Sequence, residues 1–278
     1  MGSVVAGLSC SHAPSIAHAF DHGKTREPGW RPLFDSMEQA RQWLSATEPD
    51  ALVVIYNDHV DQFFLDSWPT FTIGLGDEFP IADEGWGPRD LPPVPGAPEL
   101  AAHLASSMVD SGFDLTVCHQ QVVDHGVLSP LPLIDRDWAF PIIPVAFNVI
   151  WDPRPSPRRC WEFGEALRAG IESYGPMRVA VVGTGGLSHH LTGPTFGEIN
   201  PEWDLEFLRM IEEEPEKLKD FTLDDLAERG GEHSVEVVQW MAMRAAVGAD
   251  AQAGFRFYYP HQIMGYGGIG FTPPQAGR

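Results

Sequence analysis

Lysine is nearly absent from this chain of 278 residues, occurring only at Lys24, Lys217 and Lys219. Lysine and arginine together number 18 against 39 aspartates and glutamates, a formal charge of −21. Phosphate contacts need clustered cations, and no basic stripe exists here, so a nucleic-acid partner is excluded. The same surplus gives no long-range attraction for an anionic ligand, which then needs a local cationic or hydrogen-bonding pocket. Cysteine is also sparse. Cys10, Cys118 and Cys160 are odd in number, far apart and form no C-x-x-C pair, which leaves neither a disulfide framework nor a zinc ribbon. No apolar run approaches the ~18 residues of a membrane span. The first residues lack a basic segment followed by a long apolar one, so no signal peptide is expected. The expectation is a soluble cytoplasmic protein with reduced thiols and no membrane partner. Flavin, dinucleotide and haem fingerprints are missing, as is the H-E-x-x-H pattern of zincins.

What is present supports a sizeable core, with 43% hydrophobic residues. Short aliphatic runs at 4–8, 51–56, 142–150 and 178–182 read as buried strands, with a further strand around 115–119. Helical patterns lie at 99–111, with Leu100, Leu104 and Met108 along one face, and at 160–174 and 235–247. Strands alternating with helices predict an α/β fold: one domain over 1–278, its central mixed sheet flanked by helices on both faces. The Pro- and Gly-rich stretches 83–98 and 151–157 contain Trp86 and Trp151, which favour packing, so both read as ordered surface loops. The acidic stretch 212–228 reads as a helical, solvated face, and no internal repeat is found.

Four histidine segments sit where strands should end, the place where ligands gather in α/β sheets. They are Ser11-His12-Ala13-Pro14, Tyr56-Asn57-Asp58-His59, Val123-Asp124-His125-Gly126, and Gly183-Thr184-Gly185-Gly186-Leu187-Ser188-His189 followed by His190. A single such histidine is more often a structural hydrogen-bonder. Four at equivalent ends of one sheet converge on one crevice. Two histidines plus one carboxylate, with open positions, suit an iron(II) facial triad. Glu232 and Glu236 are the carboxylates near the start of the 235–247 helix. Glu236 precedes Val237-Val238-Gln239-Trp240, where an unpaired carboxylate would be costly unless it binds a metal. Capping the helix N-terminus is the alternative.

These segments, with Ala82-Asp83-Glu84-Gly85-Trp86-Gly87-Pro88-Arg89 and Val235-Glu236-Val237-Val238-Gln239-Trp240, occur in the order of the class III extradiol dioxygenases. From about residue 4 to about residue 260 the chain resembles the catalytic β-subunit of protocatechuate 4,5-dioxygenase and its gallate and 3-O-methylgallate relatives. The resemblance implies Fe(2+) held by His12, His59 and Glu236, with His189 as acid/base and His125 touching the substrate. Gly185 and Gly186 would let backbone approach the substrate closely. His18, His22, His103, His119, His190, His233 and His261 have no matching role and read as surface or core residues. The substrates implied are a small catechol and O₂.

The stretch Tyr259-Pro260-His261-Gln262-Ile263-Met264-Gly265-Tyr266 offers Gln262 to a substrate carboxylate but otherwise carries larger, apolar side chains, Met264 among them. Ala13 is smaller than the residue usual beside the ligand histidine. Both features favour a lignin-derived catechol with a carboxylate and a bulky or methoxyl substituent, such as 3-O-methylgallate or a biphenyl. Protocatechuate and gallate are the alternatives, and a metal-free interaction module or a zinc hydrolase of the same fold are distant ones. A homodimer is expected, with a separate small α-subunit as the other arrangement.

Overall fold

Two strands of the chain, Ala51–Tyr56 and Ile142–Phe147, are buried at every position, as befits central parallel strands covered on both faces. In the computed structural model, which describes residues 1–85 and 87–274, they lie inside an eight-stranded mixed sheet. In chain order the strands are β1 (Ser3–Ser11), β2 (Ala51–Tyr56), β3 (Phe71–Gly74), β4 (Glu78–Phe79), β5 (Val94–Pro95), β6 (Thr116–Cys118), β7 (Ile142–Phe147), β8 (Arg178–Gly185), β9 (Gln252–His261) and β10 (Met264–Thr272). The helices are α1 (Pro14–Asp21), α2 (Arg31–Ala46), α3 (Pro98–Asp110), α4 (His125–Leu128), α5 (Leu131–Ile134), α6 (Pro157–Ser173), α7 (Pro201–Glu213), α8 (Leu223–Gly230) and α9 (Val237–Val247).

The large sheet has the order β6-β3-β7-β2-β8-β1-β10-β9, and β4 and β5 form a separate ribbon. β1, β2, β7 and β8 run parallel, so their carboxyl ends share one edge. Alternation along β2 divides the core: Val53 and Ile55 face one layer, Leu52, Val54 and Tyr56 the other. The first layer holds Leu104 of α3, Trp161 of α6 and Trp240 of α9; the second holds Ile16 of α1, Met37 of α2 and Leu131 of α5. The fold is thus the expected α/β sandwich with helices on both faces. Trp240 is fully buried, and its truncation to alanine would cost about 3–5 kcal/mol.

Helix α9 is buried on all sides and lies almost on the backbone of β8. A Cβ at Gly183 would stand 2.6 Å from the Gln239 carbonyl oxygen, so only glycine permits this approach. That contact carries the N-terminus of α9, and with it Glu236, to the carboxyl end of β8.

Several expectations need correction. The strand expected over 142–150 ends at Phe147, because the Asn148 side chain accepts from the Ile150 and Trp151 N–H groups (3.2 and 3.1 Å) and closes a turn. The 212–228 stretch is helical but not continuous: α7 ends at Glu213, a 3-10 helix spans Pro215–Asp220, and α8 follows. Pro215 interrupts it, and α8 begins anew at a capping box between Thr222 and Asp225. It is also only partly solvated, since Leu218 and Leu226 are fully buried. Trp151, expected to be packed, is 46% exposed; Trp86 lies outside the described residues. Finally, β6 runs opposite to the central strands, being parallel to β3, which is antiparallel to β7. The equivalence assumed for His125 therefore fails. Its segment returns across the sheet, as the hydrogen bond from Gln121 to the Tyr56 hydroxyl (2.8 Å) shows. Among the described residues no helix is long and apolar enough to cross a membrane.

Candidate active site

β2, β8 and β1 are neighbours in the sheet, and the residues that leave their carboxyl ends meet above them. His12 follows β1 directly, His59 lies just past β2, and the Gly186–His189 turn follows β8. Glu236 enters from the start of α9. His12 Nε2 stands 3.1 Å from Glu236 Oε2, and His59 Nε2 stands 3.6 Å from Glu236 Oε1. Ligands about 2.1 Å from a common centre and at right angles would stand about 3.0 Å apart, so this spacing suits adjacent corners of an octahedron.

The partners behind the rings aim them inward. His59 Nδ1 is 3.0 Å from Asp124 Oδ2, which also accepts from the His59 backbone N–H at 2.7 Å. His12 Nδ1 is 3.0 Å from Thr184 Oγ1, whose own hydrogen points along a long 3.5 Å contact to the Ile55 carbonyl. Each Nδ1 thus donates outward, and each Nε2 lone pair faces the site. Asn57 Nδ2 lies 2.9 Å from His59 Nε2 and 3.2 Å from Glu236 Oε1.

Charge reinforces the arrangement. Burial alone would raise Glu236, but His12 and then His59 hold its carboxyl well below the usual range. Burial opposes a charged His59, yet Asp124 and Glu236 raise it to about 10. Asp124 itself, against its burial, is drawn down to about 2 by His59. These electron-rich surroundings favour any cation at the Nε2 atoms, whether a proton or a metal. Among the described residues, His12, His59 and Glu236 form one group able to hold a metal ion, and His59, Asp124 and His125 a second. The first suits a cation better, because Asp124 already accepts from His59 and from the Gly126 N–H at 2.8 Å.

His189 is 2% exposed, and its Nδ1 is 2.7 Å from the Leu187 carbonyl, so Nε2 carries the lone pair. Burial lowers its pKa, opposed in part by Glu236. Its turn is clamped from the side. Asp204 of α7 accepts from the Ser188 N–H and hydroxyl (2.7 Å each) and from the Tyr258 hydroxyl (2.8 Å). His125 presents its ring 3.8 Å from that of His59 and 5.7 Å from that of His12, with Nδ1 bonded to Glu84. Burial and then His59 lower its pKa.

The structure thus brings His12, His59, Glu236, His125 and His189 together. Ala13 is buried between His12 and α1. Gly186 makes a close approach, though to the site's own residues: its N–H donates to Glu236 Oε2 at 2.8 Å, and a Cβ there would lie 2.9 Å from His189 Nδ1. Gly185 likewise faces the Glu236 backbone. Met264 is buried, and its backbone pairs with His189. Gln262 is not brought to the cluster; it occupies the exposed turn of the β9–β10 hairpin with φ +55°. Asp124, Thr184, Glu84 and Asp204 were not assigned roles from sequence. The first three sit within the histidine-bearing and acidic motifs, whereas nothing around Asp204 marks it.

The family model described as the catalytic LigB subunit of aromatic ring-opening dioxygenase matches residues 6–271. Gallate dioxygenase of Pseudomonas putida is 39% identical over 189 residues, covering 66% of this chain and 56% of that protein, so the match spans about half of its length. The 2,3-dihydroxyphenylpropionate/2,3-dihydroxicinnamic acid 1,2-dioxygenase of Klebsiella pneumoniae is 29% identical over 84% of this chain and 88% of its own. A solved structure of an uncharacterized protein from Escherichia coli K12 superimposes with a TM-score of 0.63, covering 96% of this chain and 99% of that one. At 15% identity it bears on the fold alone.

Proposed function

This chain belongs to the family of the catalytic LigB subunit of aromatic ring-opening dioxygenases, and from that premise we propose that it is an iron(II)-dependent extradiol dioxygenase. The observation that carries the proposal is the trio His12, His59 and Glu236, with ligand atoms at the spacing of adjacent coordination positions and lone pairs turned inward. Iron(II) held by two imidazoles and a carboxylate supplies open positions and electronic coupling between a catechol and O₂. Both oxygen atoms enter the product, so no external reductant is used.

The protein's own residues handle the protons. His189, with Nδ1–H fixed on the Leu187 carbonyl, accepts a catechol proton at Nε2 and returns it as the ring opens. Its lowered pKa keeps it in the accepting form at neutral pH. His125, held by Glu84, walls the substrate on the His59 side. His12, Glu236 and His189 are buried, which keeps bulk water from these groups.

The proposed substrate is a lignin-derived catechol carrying a carboxylate and a bulky or methoxyl substituent, favoured by the small Ala13 beside His12. With Gln262 at an exposed turn, the support for a carboxylate contact in the C-terminal stretch is withdrawn. Gallate is the second reading, favoured by the 39% identity to gallate dioxygenase. We propose a cytoplasmic homodimer, in which the exposed Val60, Phe64 and Leu65 after β2 and Leu191 and Phe196 after β8 would be covered. Metal analysis and O₂ uptake on anaerobically purified, iron-loaded protein test the reading. Iron-dependent O₂ uptake with a catechol is expected; zinc-supported hydrolysis, or no metal binding at all, would overturn it.

A further inference from the structure

A cleft of about 480 Å³ opens beside the histidine cluster, and its outer part has no role in the proton chemistry. The His125 ring stands at its inner end, next to His59. One wall is α1, which begins two residues after His12 and contributes Pro14, Ala17 and His18, with His22 at its C-cap. The opposite wall is the loop containing Gly87, Pro88 and Arg89. None of the trio lines the cleft itself; the cleft reaches them through His125, whose ring lies 3.8 Å from that of His59.

The chemistry of the walls selects what enters. His18 and His22 stack with centroids 4.0 Å apart and planes 28° apart, and His22 Nδ1 lies 2.9 Å from the His18 carbonyl oxygen. They form a flat step, continued by Pro14, Ala17 and Pro88. The arginine of the cleft is already spent. Arg89 Nε and Nη2 lie 2.7 and 2.6 Å from the two Asp21 oxygens, and Nη1 bonds the Leu128 carbonyl. Glu84, nearby, is bonded to His125. Among the described residues the cleft therefore offers flat, largely apolar surface and no uncommitted guanidinium to a carboxylate. A cavity of ~150 Å³ suffices for benzene, so the volume exceeds the need of one ring about threefold.

We propose that this cleft is the subsite for the substituent of the catechol, and that it takes a flat aryl group, with His18 and His22 as its specificity-determining wall. The proposal rests on the dioxygenase reading above and adds to it the class of substituent.

The test compares kcat/KM for a phenyl-substituted catechol with that for gallate, in the wild type, His18→Trp and His22→Ala. His18→Trp fills the cleft from an exposed position and should lower the phenylcatechol-to-gallate ratio at least tenfold, through KM. His22→Ala removes one face of the step and should lower the same ratio about two- to tenfold, the range for a lost aromatic contact. A ratio unchanged within twofold in both variants would overturn the subsite. Anaerobic equilibrium binding of the phenylcatechol keeps the two readings apart. If the wild type turns over neither catechol, the dioxygenase reading fails. The subsite is then supported by at least tenfold weaker binding to His18→Trp, and overturned by equal binding.

Discussion

Replacing Asp124 separates the ligand-orienting role of this carboxylate from its role in the fold. Its Oδ2 accepts from the His59 N–H (2.7 Å) and Nδ1 (3.0 Å), and its Oδ1 accepts from the Gly126 N–H (2.8 Å), all at a fully buried side chain. Asp124→Ala strips all three donors of their acceptor. At about 1–3 kcal/mol for each donor left dry, and with His59 partly exposed, a loss of about 2–5 kcal/mol of stability is expected. Asp124→Asn keeps the shape and the acceptor for His59 but turns an NH₂ towards the Gly126 N–H and removes the charge that holds the His59 ring, so stability should fall by about 1–3 kcal/mol. Iron affinity should nonetheless fall about 10- to 100-fold in both, as for other carboxylates that orient a ligating histidine. Thermal melts of the metal-free proteins give the first quantity, and competition with a chelator for iron(II) gives the second. An Asp124→Asn protein binding iron within twofold of the wild type would refute the orienting role.

His189→Ala should retain iron and still bind a catechol anaerobically, yet lose about 10²–10⁴-fold in kcat, measured by stopped-flow ring opening; loss of iron would make it a ligand instead. Because burial lowers the His189 pKa, the acid limb of kcat/KM against pH should lie below the ordinary histidine value, and the base should be lost only as pH falls through that limb. Gly186→Ala places a methyl 2.9 Å from His189 Nδ1 and 3.2 Å from Glu236 Oε2, so iron content and turnover should both drop, which metal analysis and rate measurement would show. Tyr258→Phe removes one donor to Asp204 and should cost about 1 kcal/mol, whereas Asp204→Ala also frees Ser188 and should cost about 3 kcal/mol, both readable by chemical denaturation.

The layered α/β architecture was legible because β2 and β7 are continuous apolar runs and α6 and α9 carry enough apolar residues to be seen. The strand directions were not. The order of β6, β3 and β7 depends on pairing across distant segments, and hydrophobic pattern does not encode which way an edge strand runs. His125 was therefore placed by the wrong geometric argument, although it reaches the cluster. His12 and His59 were legible as histidines just past strand ends, whereas Glu236 was singled out from helix capping only by the family resemblance. Asp204 was not legible, since its role arises only where α7 meets the β8 turn and the β9–β10 hairpin. Gln262 misled because a polar residue in the expected stretch says nothing of the hairpin turn that carries it outward. The break at Pro215 was visible in the sequence, but the acidic composition on either side concealed it.

The central claim is most directly tested by turning over a catechol with iron-loaded protein under ¹⁸O₂ and identifying the product by mass spectrometry. The account predicts a product ring-opened beside, and not between, the two hydroxyl-bearing carbons, with both labelled oxygens incorporated and O₂ consumed in equal amount. A product cleaved between those carbons, or one lacking label, would contradict it.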